Sequence, residues 1–172
     1  MAIALAVIAA ACAAWFGWSW QHTTHSSSLS SAQVRDEALR QGELAVQDFN
    51  TLDYKTVGAG LDTWQKSSTG TLLHEITAGR SQFEAEIRKA KTITTASVLD
   101  AALTSLNEQT GRANIIVALQ ITVTPLKGSS TTKQTRLEGT LVRTTSGWKL
   151  SSLGAVPVGT AGSGSGQSSS SP

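Results

Sequence analysis

The sequence predicts an α+β domain in which helices lie over one face of an antiparallel sheet. Three observations predict it: apolar residues recur at helical intervals from Ser31 to Lys91, they alternate from Ile93 to Val158, and short clusters of turn formers separate the alternating runs. Helices followed by neighbouring strands joined by tight turns give a meander rather than a parallel sheet.

The first helix is expected over Ser31 to Asn50. Val34, Ala38, Gly42, Ala45, Val46 and Phe49 form its apolar stripe, with Arg35, Asp36, Arg40, Glu43 and Asp48 on other faces. Ser31 is placed to cap it, and Asp36 and Glu37 lie near the positive end of its dipole. Asn50 to Tyr54 reads as a break. A second helix, Tyr54 to Lys66, carries Tyr54, Val57, Leu61 and Trp64 on one stripe and is weakened by Gly58 and Gly60. Ser67 to Gly70 turns the chain into a third helix, Thr71 to Lys91. Its stripe is Leu72 or Leu73, Ile76, Phe83, Ile87 and Ala90, with Glu84 and Arg88 paired one turn apart on the outside.

Beyond Thr92 the period changes to two. Ile93 to Leu106 reads as a bulged first strand, because its apolar residues do not keep one parity. In the second strand Ile115, Val117, Leu119, Ile121 and Val123 oppose Asn114, Ala118, Gln120 and Thr122. Pro125 and Gly128 turn it into a third, Thr132 to Thr144, with Leu137, Gly139 and Leu141 opposed to Arg136, Glu138 and Thr140. Ser146-Gly147 leads to a fourth, Trp148 to Val158, in which Trp148 and Leu150 share the buried face. The expectation is therefore three helices on four strands. Residues 159–172, rich in Gly and Ser and without charge, read as a flexible tail.

Residues 1–20 contain no charged side chain and end in Trp15, Trp18 and Trp20. About 20 apolar residues suffice to span a bilayer, and tryptophans mark the lipid–water boundary, so this run is expected to be a transmembrane helix with the three rings as interface anchors. Residues 21–31 form a polar juxtamembrane linker and 32–158 the folded domain. A cleaved signal peptide competes, but the basic n-region is missing. A lipoprotein reading through Cys12 lacks the aliphatic residue expected before it. No Lys or Arg precedes Arg35, so charge does not orient the span.

All 14 Lys+Arg and all 12 Asp+Glu fall between Arg35 and Lys149, and the net charge is +2. Interspersed signs leave no basic stripe for nucleic acid, which is set aside as a partner. Cys12 is the only cysteine, so the domain forms neither an internal disulfide nor a thiolate metal site. His22 and His25 flank the apolar run and His74 stands apart, without metal-ligand spacing. There is no nucleophile elbow, phosphate loop or zinc signature. No catalytic, cofactor or metal residue is expected. Asp53, Tyr54 and Asp100 are the nearest approach to an acid–base set; Asp53 reads as a cap at the helix break and Tyr54 as a packing residue, and Asp100 lies on the first strand.

The segments NTLDYK (Asn50 to Lys55), GLDTWQKSSTG (Gly60 to Gly70), the Ala90-Lys-Thr run and GWKLSSLG (Gly147 to Gly154) with Val156-Pro-Val158 resemble the Mce-associated membrane proteins of actinobacteria. The likeness covers about Arg35 to Val158 and the apolar run before it. It implies a single N-terminal helix carrying a periplasmic NTF2-like, cystatin-resembling cone, with the N-terminus cytoplasmic and the protein in the inner membrane. It further implies a non-enzymatic accessory subunit that stabilises an Mce-type lipid importer, with Mce proteins, permease subunits and the bilayer as partners. Family members often have a charged cytoplasmic extension, which this chain lacks. Two alternatives stay open: a lipid shuttle using the cone cavity, and an NTF2-like isomerase or dehydratase. Tyr54 and Trp64 are the candidate contacts for a partner or a lipid.

Overall fold

The first helix packs closely against the sheet because the residues facing it are small. In the computed structural model, which describes residues 30–156, this helix (α1) covers residues 30–49. Ala38, Ala45 and Val46 are buried against the sheet. Between them, a Cβ on Gly42 would stand 2.8 Å from terminal methyls of both Ile115 and Leu141. A larger residue there would force the ends of Ile115 and Leu141 to shift. Ser31 lies inside α1 rather than capping it.

The chain then continues through β1 (Leu52–Asp53), α2 (Val57–Ser67), α3 (Gly70–Ala90), β2 (Thr92–Asn107), β3 (Arg112–Pro125), β4 (Thr131–Thr144) and β5 (Gly147–Ala155). All strands pair antiparallel with their sequence neighbours, in the order β1-β2-β3-β4-β5. The α+β class and the meander match expectation. The strand count does not: there are five strands, not four. The addition is β1, two residues at the supposed break, paired Leu52 to Thr94 and Asp53 to Ile93. Two residues are too few to show a period, and Asn50 and Asp53 beside them are turn formers.

β1 also accounts for a glycine. A Cβ on Gly60 would come within 2.3 Å of the Leu52 Cδ1, so α2 carries a glycine where β1 passes beneath it. The helix starts at Val57 instead of Tyr54, because the Thr56 N–H bonds the Asp53 carbonyl in a turn. The end of α2 is tied to the far edge of the sheet. Ser68, buried, donates to the Trp64 carbonyl at 2.6 Å, and the Thr69 N–H bonds the Leu150 carbonyl at 2.8 Å. Arg80 joins α3 to α2 through Asp62, at 2.7 Å, and the Gly58 carbonyl, at 3.1 Å. Lys91 ends α3 in the left-handed conformation, φ 51°, and the chain turns directly into β2.

The bulged character of the first long strand is confirmed, with a physical consequence. Register shifts fall between Val98 and Asp100 and between Leu103 and Ser105. Each extra residue flips the parity once. Ala96, Val98, Ala101, Leu103 and Leu106 are thereby matched to the inward-facing Ile121, Leu119, Val117, Ile115 and Ala113. A third shift beside Thr140/Leu141 does the same for β5, keeping Leu150 and Leu153 opposite Leu141 and Gly139. The inner face joins α1 in one core that includes Ala38, Val46, Ile115, Val117, Leu119, Leu141, Trp148 and Leu150.

Trp148 is 5% exposed, so truncation leaves a large void. Trp148→Ala should cost about 3–5 kcal/mol in chemical denaturation, and a loss below about 1 kcal/mol would contradict this strand orientation. Gly42→Val should cost about 1–3 kcal/mol by overpacking the helix against Ile115 and Leu141, measured in the same way.

Candidate interaction surfaces

The sheet has one covered face and one open face, and the two differ in chemistry. The inner face is the core. On the outer face the side chains follow the pairing register: Ser105, Asn114, Thr140 and Ser152 form one row, and Ala102, Ile116, Glu138 and Gly154 the next. Asn114 links its row, donating to the Ser105 hydroxyl at 3.0 Å and accepting from the Thr140 hydroxyl at 3.1 Å. Farther along, the Thr122 and Thr132 hydroxyls meet at 3.0 Å. Polar side chains hydrogen-bonded across strands suit a wet face.

Between these rows lies a groove of about 520 Å³, lined by Thr104, Asn114, Ile116, Glu138, Ser152 and Gly154 among others. Two features shape it. Thr104 and Ser151 are the extra residues of bulges in β2 and β5, and bulges bend and twist the strands that carry them. Gly154 adds no side chain, and a Cβ built there would meet no atom within 4 Å. A second recess, of about 470 Å³, lies between α1 and the β4–β5 hairpin, lined by Val34, Glu37, Gln41, Arg143 and Trp148 with their neighbours. Gln41 clasps its two walls: its side-chain oxygen accepts the Trp148 N–H, and its amide donates to Glu37.

The residues singled out from the sequence are scattered. Trp15, Trp18 and Trp20 lie outside the described residues, as do His22, His25 and Cys12. Among the described residues no helix is long and apolar enough to cross a membrane. Trp64 is half-buried, its ring stacked on Phe49 at 5.3 Å between centroids and 9° between planes. Its indole N–H donates to the Asp48 carbonyl at 3.0 Å, so both its apolar and polar parts are engaged within the fold. Tyr54 is half-buried after β1, with the Lys55 ammonium 5.9 Å from its ring centre. The two aromatics belong to the α1–α2 corner, and neither lines the two recesses.

Asp53 and Asp100 do not form a site. The Asp53 carboxylate accepts the Lys55 N–H at 2.8 Å, as a turn cap. Asp100 is on the outer face, exposed, and accepts the N–H of Ala101 at 2.9 Å. His74 is exposed on α3, and among the described residues no three His, Cys, Asp or Glu side chains gather as metal ligands. The outer groove and the Gln41 clasp were not picked out from the sequence. Asn114, Glu138 and Ser152 are ordinary polar positions on solvent-facing parity, and Gln41 is a polar position on α1; only the fold brings each to its partners.

Burial pushes Asp48 above its ordinary range, and a hydrogen bond from the Ser67 side chain partly offsets this. A folded-state pKa above the unfolded one means that the folded chain binds more protons, so this group's contribution to stability declines as pH rises through that pKa. Asp48→Asn removes the partly buried charge while keeping an acceptor for Ser67. It should raise the melting temperature at pH 7 and change it little at pH 4; a destabilised variant at pH 7 would contradict this.

No family model matches the chain, and no curated protein sequence matches it. Solved structures do match in fold. An IcmL-like type IV secretion system protein from Legionella pneumophila superposes with a TM-score of 0.59 at 14% identity, covering 72% of this chain and 93% of that one. The periplasmic domain of DotI gives 0.57 at 11% identity, covering 69% and 92%. A periplasmic fragment of TraM gives 0.55 at 16% identity, covering 69% and 93%. The region between α1 and β5 thus has the α+β fold of these domains.

Proposed function

We propose that this chain is a non-enzymatic accessory subunit of a multiprotein complex in the cell envelope. Its apolar N-terminal segment holds it in the inner membrane with the N-terminus cytoplasmic, and its α+β domain stands on the periplasmic side. The observation that carries this reading is the asymmetry of the sheet. One face is filled by α1 down to van der Waals contact at Gly42, while the other is open, polar and grooved. A lipid entering beneath α1 would have to displace Ile115 and Leu141, which counts against a shuttle. Asp53 and Asp100 are engaged as caps, which counts against either serving as an isomerase base.

We assign the complex to the Mce-type lipid importers, on the strength of the NTLDYK, GLDTWQKSSTG and GWKLSSLG segments. A second reading, a subunit of a type IV secretion complex, draws on the fold shared with the IcmL-like protein. Fold alone does not choose between them, since one scaffold serves many assemblies.

Affinity purification of the full chain from native membranes in mild detergent separates the readings. Mce proteins and permease subunits should co-purify. Type IV secretion components in their place would transfer the chain to the second reading. Recovery of the chain alone, under conditions that keep such complexes intact, would overturn the accessory role.

A further inference from the structure

The α2–α3 hairpin leaves the sheet and returns to it at one point. The Tyr54 N–H, just after β1, bonds the carbonyl of Thr92, the first residue of β2, at 3.3 Å, so the two crossings lie side by side. At the first crossing the Asp53 carbonyl and carboxylate accept the Thr56 and Lys55 N–H groups in a tight turn. At the second, Lys91 holds φ 51°, the one positive φ on a non-glycine among the described residues. A backbone position of this kind, at the end of an element, is where a rotation is absorbed. Between the crossings the two helices form one body, because Arg80 on α3 binds both Asp62 and the Gly58 carbonyl on α2. Val57, Leu61 and Ile76 are buried, yet they stand outside the core that joins α1 to the sheet. Among the described residues, Leu72 is the apolar side chain of the two helices that packs against that core.

The far end of the hairpin is fastened by separate contacts. The 21 residues of α3, at about 1.5 Å each, put Gly70 about 30 Å from the Lys91 crossing. At that end the Trp64 ring stacks on Phe49, its indole N–H donates to the Asp48 carbonyl at 3.0 Å, and the Ser67 side chain bonds the Asp48 carboxyl. The Thr69 N–H, bonded to the Leu150 carbonyl at 2.8 Å, ties the loop between the helices to β5. We propose that the α2–α3 hairpin is a flap, hinged at Tyr54 and Lys91 and latched at Asp48 and Leu150, which opens as one body while α1 and the sheet stay folded. Opening costs the latch contacts and the packing of Leu72 and Leu52, and a segment with few ties to the core opens at a lower free energy than the core itself. It breaks no rung of the β1–β2 pairing, since both crossings lie outside Leu52–Thr94 and Asp53–Ile93. The open state uncovers the Phe49 ring and the Leu150 region of β5. This goes beyond the accessory-subunit reading: the flap is a moving part of the domain, whichever complex holds the chain.

The test is amide hydrogen exchange on the full chain at low denaturant concentrations. Hydrogen-bonded amides of residues 57–90 should share one opening free energy and exchange about a hundredfold or more faster than those of 113–121 in β3. Their exchange should also depend more weakly on denaturant, because an open flap exposes less surface than global unfolding. Three variants separate the flap from the core. Trp64→Phe keeps a ring on Phe49 and deletes the indole N–H, and should speed exchange in 57–90 about fivefold, the effect of one hydrogen bond. Gly42→Val loosens α1 on the sheet, and should speed β3 about tenfold while leaving 57–90 unchanged, since the open flap keeps that packing. A disulfide locks the latch: a Cβ on Gly70 lies 4.0 Å from the Ser151 Cβ, within disulfide range, so Gly70→Cys with Ser151→Cys in a Cys12→Ser background closes it on oxidation. Gly70 has φ 60°, so the reduced form of that variant is its reference. Oxidation should abolish the difference between 57–90 and β3. Exchange of 57–90 together with β3 in the unaltered chain would overturn the proposal. So would a difference that survives oxidation, or 57–90 speeding in step with β3 in Gly42→Val.

Discussion

The close seat of α1 on the sheet is the constraint on which the rest depends. Ala38, Gly42 and Ala45 present almost no side chain, so the helix backbone approaches Ile115 and Leu141 until a single added carbon would clash. That approach shields the centre of the inner face and forces the sheet to keep its apolar side chains there. The bulges in β2 and β5 meet this demand: each restores the inward parity that the intervening sequence loses. The Gln41 clasp on the Trp148 N–H holds the β4–β5 hairpin to the same helix.

The same bulges that protect the core shape the opposite surface. An extra residue at Thr104 and another near Ser151 bend both edges of the outer face at the level of Asn114 and Thr140. The bulges in β2 also interrupt its edge, which β1 covers only at Ile93 and Thr94, and an irregular edge resists pairing with a stray strand. One device thus serves core parity, edge protection and groove formation. A surface built this way binds by shape and a few polar contacts. Asp53 and Asp100 spend their carboxylates on backbone N–H groups.

Much of the fold was legible because burial writes a period into the sequence. The alternation of Ile115 to Val123, the inward Trp148 and Leu150, and the α1 stripe all had their cause in one-sided burial, and the structure places them so. The irregular parity of β2 was legible as well, since bulges leave a phase shift. What escaped was of two kinds. β1 is too short to carry a period, and its trace was Gly60, which looked like a weak helix position and proved to be clearance for Leu52. The groove escaped because outward residues are under no burial constraint: Glu138 and Asn114 looked like any solvated positions until the register aligned them. Trp64 had two readings in the sequence, and its contacts with Phe49 and the Asp48 carbonyl lie within the fold.

The central claim is that α1 and the sheet form a single cooperative unit, so that the helix leading from the N-terminal segment cannot move apart from the domain. Amide hydrogen exchange on the full chain measures this directly, because segments that open together exchange with the same free energy. Residues 38–49 of α1 and 113–121 of β3 should share the slowest exchange and lose it together as denaturant is added. Exchange in α1 faster than in β3 by about a hundredfold or more would mean that the helix detaches while the sheet stays folded, and would contradict the account.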